Sequence, residues 1–211
     1  MKQKNLNKFF LWFVKLTGVI PALLFFKPKI YRVGEKSQLK KGMILVSNHK
    51  SLMDFVLYLI VFFGKTIRFL MAEVLFNKGK LFAHFLFAIG GIYVNRDACD
   101  LSFIDESVRQ LHKKGNVAVF PEGRLPVGNK AFPFKPGVTF IAVKANAPIL
   151  PVYTDGNYGL FKRARVVIGE PFNITDYIQG ELNEKEYERL TLIIKEKTYA
   201  LKEYINKYEK R

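Results

Sequence analysis

The 211-residue sequence predicts an α/β fold: a central, largely parallel mixed sheet flanked by helices, with an N-terminal two-helix membrane-associating motif. Three observations predict it. Short apolar runs alternate with longer runs of helical spacing, the order expected of strand–helix–strand units. The polar residues able to carry chemistry fall just after the short runs, where parallel sheets place their functional loops. The first residues join a Phe-rich apolar stretch to an excess of lysine, which divides the chain into residues 1–30, a membrane-associating helical motif, and residues 31–211, an α/β domain.

In chain order, Phe9–Phe26 (FFLWFVKLTGVIPALLFF) comes first. A spanning helix needs about 20 apolar residues with few charges. This run carries Lys15, Gly18 and Pro21 instead. Pro21 is expected to break the helix. Lys4, Lys8 and Lys15 share one sector of a helical wheel, so two short interfacial helices with lysines toward lipid phosphates fit best. A single membrane-spanning anchor, a signal peptide and an ordinary packed helix are the alternatives. Lys27-Pro28-Lys29 follows where a cleavable signal would place small residues. Next, Met43–Ser47 reads as a strand and Leu52–Phe63 as a buried or lipid-facing helix. Ile67–Ala72 is a strand, Lys80–Ile89 a helix and Gly91–Asn95 a strand. Leu101–Lys114 has helical spacing, with Gly115 as its stop. Val117–Phe120 is a strand, Val138–Ala147 a helix, and Ile149–Thr154 and Ala164–Gly169 are strands. Glu184–Tyr208 reads as one long amphipathic helix.

Composition narrows the function classes. Hydrophobic residues make up 49% and aromatics 15%, enough for a core and inconsistent with global disorder. The single cysteine, Cys99, excludes an internal disulfide and suits a reducing compartment. Net charge is +16, and residues 1–41 hold ten Lys/Arg against Glu35 alone. An excess of this size implies an anionic partner. The basic residues flank apolar runs, as at a membrane interface, rather than interleaving with exposed aromatics as in nucleic-acid binders. An anionic phospholipid surface is therefore the expected partner, and nucleic acid is not. No Gly-rich nucleotide motif and no cluster with metal-ligand spacing is present, so neither cofactor nor metal is expected.

Four short motifs carry candidate chemistry. In Asn48-His49-Lys50-Ser51-Leu52-Met53-Asp54, a histidine just before a helix can meet an aspartate in its first turn. Asp54 would then hold one ring nitrogen, leaving the other to take a proton, and backbone N–H groups at the helix start could stabilise an oxyanion. A loop histidine beside an aspartate favoured by the helix dipole fits the same spacing. Gly90-Gly91-Ile92-Tyr93-Val94-Asn95-Arg96 ends in an arginine suited to a phosphate monoester, or to a surface ion pair. Phe120-Pro121-Glu122-Gly123-Arg124 is either a functional turn or a simple one, with Lys135 downstream. Ala147-Pro148-Ile149-Leu150-Pro151-Val152 marks a Pro-bounded buried strand.

Taken in order, these motifs resemble the glycerolipid acyltransferase family, and within it the lysophosphatidate acyltransferases. The family shows Asn-His-x4-Asp, Gly-x-Ile-x3-Arg, Phe-Pro-Glu-Gly-Thr-Arg-Ser and a Pro-Ile-x-Pro strand, and the resemblance covers roughly residues 40–175. It implies acyl transfer from acyl-CoA or acyl carrier protein, as co-substrate, to the free hydroxyl of lysophosphatidate, giving phosphatidate for phospholipid synthesis. It implies His49 as base and Asp54 as its orienting carboxylate. It assigns the acceptor phosphate to Arg96, Glu122, Gly123, Arg124 and Lys135. It places the protein on the cytoplasmic face of the cell membrane, monotopic or peripheral. One departure stands out: Glu122-Gly123-Arg124-Leu125-Pro126 lacks the family's Thr and Ser and brings its arginine one position early. Glycerol 3-phosphate, another lysophospholipid or an acyl-amino-acid lipid thus remain alternative acceptors. A non-catalytic basic protein binding membrane or nucleic acid is the alternative of another class.

Overall fold

The structure is a computed structural model that describes residues 6–95, 101–128 and 132–209. Its elements are α1 (Lys8–Phe26), β1 (Lys29–Arg32), β2 (Ile44–Ser47), α2 (Asp54–Val61), β3 (Ile67–Ala72), α3 (Glu73–Phe76) and α4 (Lys80–Ala88). They continue as β4 (Gly91–Val94), α5 (Ser102–His112), β5 (Asn116–Val119), α6 (Gly137–Ala145), β6 (Ile149–Thr154), β7 (Arg165–Ile168), α7 (Glu184–Ala200) and α8 (Lys202–Glu209). The strands form one sheet in the order β1-β7-β6-β2-β5-β3-β4. Every neighbouring pair is parallel except β6 and β7. The expected mixed, largely parallel sheet is thus observed.

Period-two alternation distributes the central strands over two cores. Leu45, Ala118, Leu150 and Val152 face α1, α2 and α4. Ile44, Val46, Val117, Val119 and Ile149 face α5, α6 and α7. Burial on both faces explains why these strands are apolar runs rather than alternating ones. A buried ion pair fixes the far side: Arg68 Nη1 donates to Glu106 Oε1 at 2.6 Å, and Nη2 donates to the Gly91 carbonyl at 3.2 Å. Gly91 is needed where β4 starts, since a Cβ there would stand 2.9 Å from the Leu86 carbonyl oxygen.

Topology decides what gathers at the functional end. β2 lies between β5 and β6, so the loops leaving those three strands are neighbours. Because β7 runs antiparallel to β6, the connecting segment 155–164 stays at that same end. β1 is parallel to β7, with Lys29 opposite Arg165, and this brings the C-terminus of α1 there as well.

Three expectations are corrected. α1 is one 19-residue helix that contains Pro21, not two short helices. Proline removes one N–H bond, to the Thr17 carbonyl. Its ring lies on the exposed side, while Leu11, Lys15 and Phe26 pack inward and hold the helix continuous. Lys15 does not face lipid phosphates. It is buried, and its Nζ donates to the Phe63 and Lys65 carbonyls at 2.8 and 2.7 Å, just past the C-terminal end of α2. The helix Glu184–Tyr208 is broken at Leu201, which turns α8 so that Leu201 and Ile205 reach Tyr153 and Val167. In addition, Gly115 does not hold the left-handed position that ends α5. Lys114 does (φ 59°), and the Gly115 N–H closes the motif on the Gln110 carbonyl at 2.9 Å.

Burial pushes the Lys15 ammonium pKa down from 10.5 to about 8. Between those two values the unfolded chain binds a proton that the folded one has released, so this group makes stability rise with pH across that window. Lys15→Met is expected to abolish the rise. Urea midpoints of wild type and variant measured near pH 7.5 and near pH 10 would show it as a difference that grows with pH.

Candidate active site

His49 sits just beyond the C-terminal end of β2, and Asp54 is the first residue of α2. The intervening turn folds back so that His49 Nδ1 meets Asp54 Oδ2 at 2.8 Å. Asp54 is fully buried and the imidazole is 15% exposed. The same Oδ2 accepts the N–H groups of Lys50 and Ser51 at 2.7 and 3.0 Å. The other oxygen, Oδ1, accepts the hydroxyl of Tyr158. A buried carboxylate with this many donors is held in one orientation and remains compensated. Burial first, then the Asp54 charge, raises the Tyr158 phenol pKa, so this hydroxyl stays a donor.

The loop is pinned on its other side. Asn48 Nδ2 donates to the Thr154 carbonyl, and its Oδ1 accepts the Thr154 N–H, both at 2.9 Å. This reciprocal pair ties the end of β2 to the end of β6. The His49 ring stacks on Phe120, with centroids 4.4 Å apart and planes 17° apart. Glu122, also buried, accepts the His49 N–H at 3.2 Å and the Tyr199 hydroxyl at 2.7 Å, both at Oε1. Its Oε2 is buried and has no hydrogen-bond partner. Burial, then Glu122, raises the Tyr199 pKa.

His49 is therefore in direct contact with both Asp54 and Glu122. Gly123, at φ 67°, lets the chain turn so that the aliphatic part of Lys135 lies over it; a Cβ there would meet Lys135 Cε at 3.3 Å. The Lys135 N–H also donates to the Pro121 carbonyl at 2.8 Å. Arg124 is exposed and stacks its guanidinium on Phe132, 4.7 Å from the ring centre. Arg96, like Lys130, lies outside the described residues. Glu122 faces His49 and Tyr199 rather than solvent, so its carboxylate holds the His49 backbone.

Several of the backbone N–H groups expected as oxyanion donors are engaged within the protein. The N–H groups of His49, Lys50 and Ser51 are bonded to Glu122 and Asp54. Those of Met53 and Asp54 are bonded to Ser51. Four of these five donors are spent within the turn itself, and that of His49 on Glu122. The nearby hydroxyls are also engaged elsewhere: Ser47 Oγ with Tyr58 and Asn48, and Ser51 Oγ with the Met53 N–H. Among the described residues, no protein hydroxyl is bonded to the imidazole's other nitrogen. Sequence reasoning missed Tyr158, Tyr199 and Thr154, all distant in sequence from the residues they hold. It quoted Phe120 without its stacking role. The only local signal for Tyr158 is an aromatic placed between Gly156 and Gly159 in a strand-end loop.

A carboxylate-held imidazole at a strand end, lacking a side-chain nucleophile among these contacts, has the geometry that general-base chemistry on a hydroxyl requires. The model of the Acyltransferase family matches residues 29–155. The chain belongs to this family. A "Probable 1-acyl-sn-glycerol-3-phosphate acyltransferase" of Mycoplasma genitalium is 32% identical over 160 residues, 70% of this chain and 57% of that protein. The 1-acyl-sn-glycerol-3-phosphate acyltransferase of Saccharomyces cerevisiae is 29% identical over 194 residues, 80% of this chain and 60% of that protein. The chain thus spans between half and two thirds of the length of these relatives. The fold is that of the crystal structure of the 1-acyl-sn-glycerophosphate (LPA) acyltransferase PlsC from Thermotoga maritima, with a TM-score of 0.61 at 24% identity. The match covers 92% of this chain and 78% of that one.

Proposed function

We propose that this chain moves a fatty acyl group from acyl-CoA or acyl carrier protein to the free hydroxyl of lysophosphatidate, giving phosphatidate for phospholipid synthesis at the cytoplasmic face of the cell membrane. The observation that carries the reading is the His49–Asp54 contact at 2.8 Å, with a buried carboxylate and a partly open imidazole. His49 Nε2 takes the proton of the acceptor hydroxyl as its oxygen attacks the thioester carbonyl. The tetrahedral intermediate collapses, the C–S bond breaks, and the leaving thiolate recovers the proton from the imidazolium. Asp54 holds the Nδ1–H, and Glu122 and Phe120 hold the backbone and the ring face. No metal or prosthetic group takes part in this scheme. Arg96, with Arg124 and Lys135, would take the acceptor phosphate.

The membrane reading rests on α1. It is long and apolar enough to cross a bilayer by length and composition. It packs on α2 and α4 along one side and exposes Phe9, Phe13, Leu16 and Ile20 on the other. This one-sided packing supports a helix lying in the interface of an anionic phospholipid surface.

A panel of acceptors with one acyl donor tests the substrate. Lysophosphatidate is expected to be acylated, and lysophosphatidylcholine, without a phosphate monoester, is not. Equal use of both, or preference for glycerol 3-phosphate or an acyl-amino-acid lipid, would contradict the assignment. Arg96→Ala is expected to raise KM for the phosphorylated acceptor more than for the acyl donor; equal effects on both would remove its phosphate role. Tyr158→Phe is expected to lower kcat by about tenfold with KM little changed, since it removes one charged hydrogen bond from Asp54 and no substrate contact.

A further inference from the structure

The segment Gly159–Arg163 forms a turn closed by the Lys162 N–H on the Gly159 carbonyl at 3.0 Å. Its two central residues are Leu160 and Phe161. Such positions ordinarily go to Gly, Pro, Asn, Asp or Ser. Here Leu160 is 61% exposed and Phe161 is 101% exposed, the most solvent-exposed large apolar side chain among the described residues. Lys162 and Arg163 follow, both exposed. Among the described residues, none covers the Phe161 ring.

The turn is not a loose loop. The Gly159 N–H donates to the Phe25 carbonyl at 3.3 Å, and the Ala164 N–H donates to the Phe26 carbonyl at 2.8 Å. Lys27 Nζ donates to the Leu160 carbonyl. The first two bonds satisfy the last two carbonyls of α1, which have no partner inside the helix, and the third ties the residue after α1 to the turn. They make the turn a rigid continuation of the C-terminal tip of α1. Exposed Leu23 and Leu24 lie on that end of the helix. Lys27, Lys29, Lys162 and Arg163 give the same region a basic rim.

We propose that this turn is a second membrane-inserting element, a wedge that enters an anionic phospholipid surface beside α1. The proposal rests on the membrane reading given above and adds to it a specific contact. Continuity with the apolar side of α1 and the basic rim select anionic lipid as the occupant. The residue before the turn is Tyr158, whose hydroxyl bonds Asp54 and whose ring packs edge-on against Phe26, with centroids 5.1 Å apart. Lipid contact and support of the catalytic carboxylate are therefore carried by consecutive parts of one loop.

The sequence has a single tryptophan, Trp12, which allows a direct test. The double variant Trp12→Phe/Phe161→Trp of the full chain is mixed with phosphatidylcholine–phosphatidylglycerol vesicles, with and without acyl chains brominated near the head groups. Flotation scores binding separately. The expected result is a shift of emission to shorter wavelength and strong quenching, as for a ring about 5–10 Å into the interface. Phe161→Asp is expected to weaken vesicle binding by about tenfold, the scale of one large apolar side chain, with the unfolding transition unchanged. A vesicle-bound protein whose reporter keeps its water-exposed emission would overturn the wedge and leave the α1 reading standing. A protein that does not float with vesicles would overturn both. A concentration-dependent shift without vesicles would assign the turn to a second copy of this chain and also overturn the proposal.

Discussion

His49→Ala is expected to lower kcat for acyl transfer by about 10²- to 10⁴-fold, the range over which a positioned general base contributes. The proton of an alcohol must leave as its oxygen attacks, and the imidazole is the group placed to receive it. Among the described residues, Ser47 Oγ is bonded to Tyr58 and Asn48, and Ser51 Oγ accepts the Met53 N–H. The loss should fall on kcat rather than on KM, because the imidazole contacts the reacting oxygen and not the parts of either substrate that supply binding. Stability should change little: the ring is partly exposed and stacks on a single face, that of Phe120. A folded His49→Ala protein that keeps more than a few per cent of wild-type activity would remove His49 as the base.

Asp54→Asn is expected to cost nearly as much, about 10²- to 10⁴-fold in kcat. The substitution keeps the shape of the side chain. The Lys50 and Ser51 N–H groups require an oxygen at the Oδ2 position, so the new amide should place its oxygen there and its NH₂ toward Tyr158, whose hydroxyl can accept as well as donate. The loop geometry then survives while the charge that steadies the imidazolium is gone. Neutral hydrogen bonds replace charged ones, which should cost about 1–2 kcal/mol of stability at most, because the burial cost of the carboxylate is also removed. Urea unfolding together with steady-state kinetics separates the two effects. A variant that unfolds like wild type and turns over within tenfold of it would mean that Asp54 is only a helix-start residue.

Much of this site was legible because its central chemistry is local. Five positions separate His49 from Asp54, and a histidine before a helix can meet an aspartate in its first turn, as it does here; the spacing also fits a pair that does not meet. Strands Ile67–Ala72 and Ile149–Thr154 were readable to the residue, being apolar runs bounded by polar or proline-bearing segments. β1 was not, since Lys-Ile-Tyr-Arg is a four-residue edge strand with exposed charged ends and no apolar run. The continuity of α1 was hidden because proline is read by its lost hydrogen bond, whereas Leu11 and Phe26 fix the helix through packing. Lys15 shows the same limit. A wheel places it beside Lys8, but only the third dimension brings the Phe63 and Lys65 carbonyls to it. Tyr158 and Tyr199 reach the site across sequence separations of 104 and 77 residues, which no local pattern encodes. Glu122 was found by its motif, yet its work became readable only when its carboxylate was seen to hold the His49 backbone.

In the proposed mechanism the acyl group passes directly to an acceptor hydroxyl activated by His49. Mass spectrometry of lipid and intact protein, after incubation with lysophosphatidate and a mixture of acyl-CoA and acyl carrier protein donors, tests it most directly. Wild type is expected to yield phosphatidate bearing one added acyl ester while the protein mass stays unchanged, and His49→Ala is expected to yield essentially none. Phosphatidate formed at an undiminished rate by folded His49→Ala, or an acyl adduct on the protein that chases into product, would contradict the account.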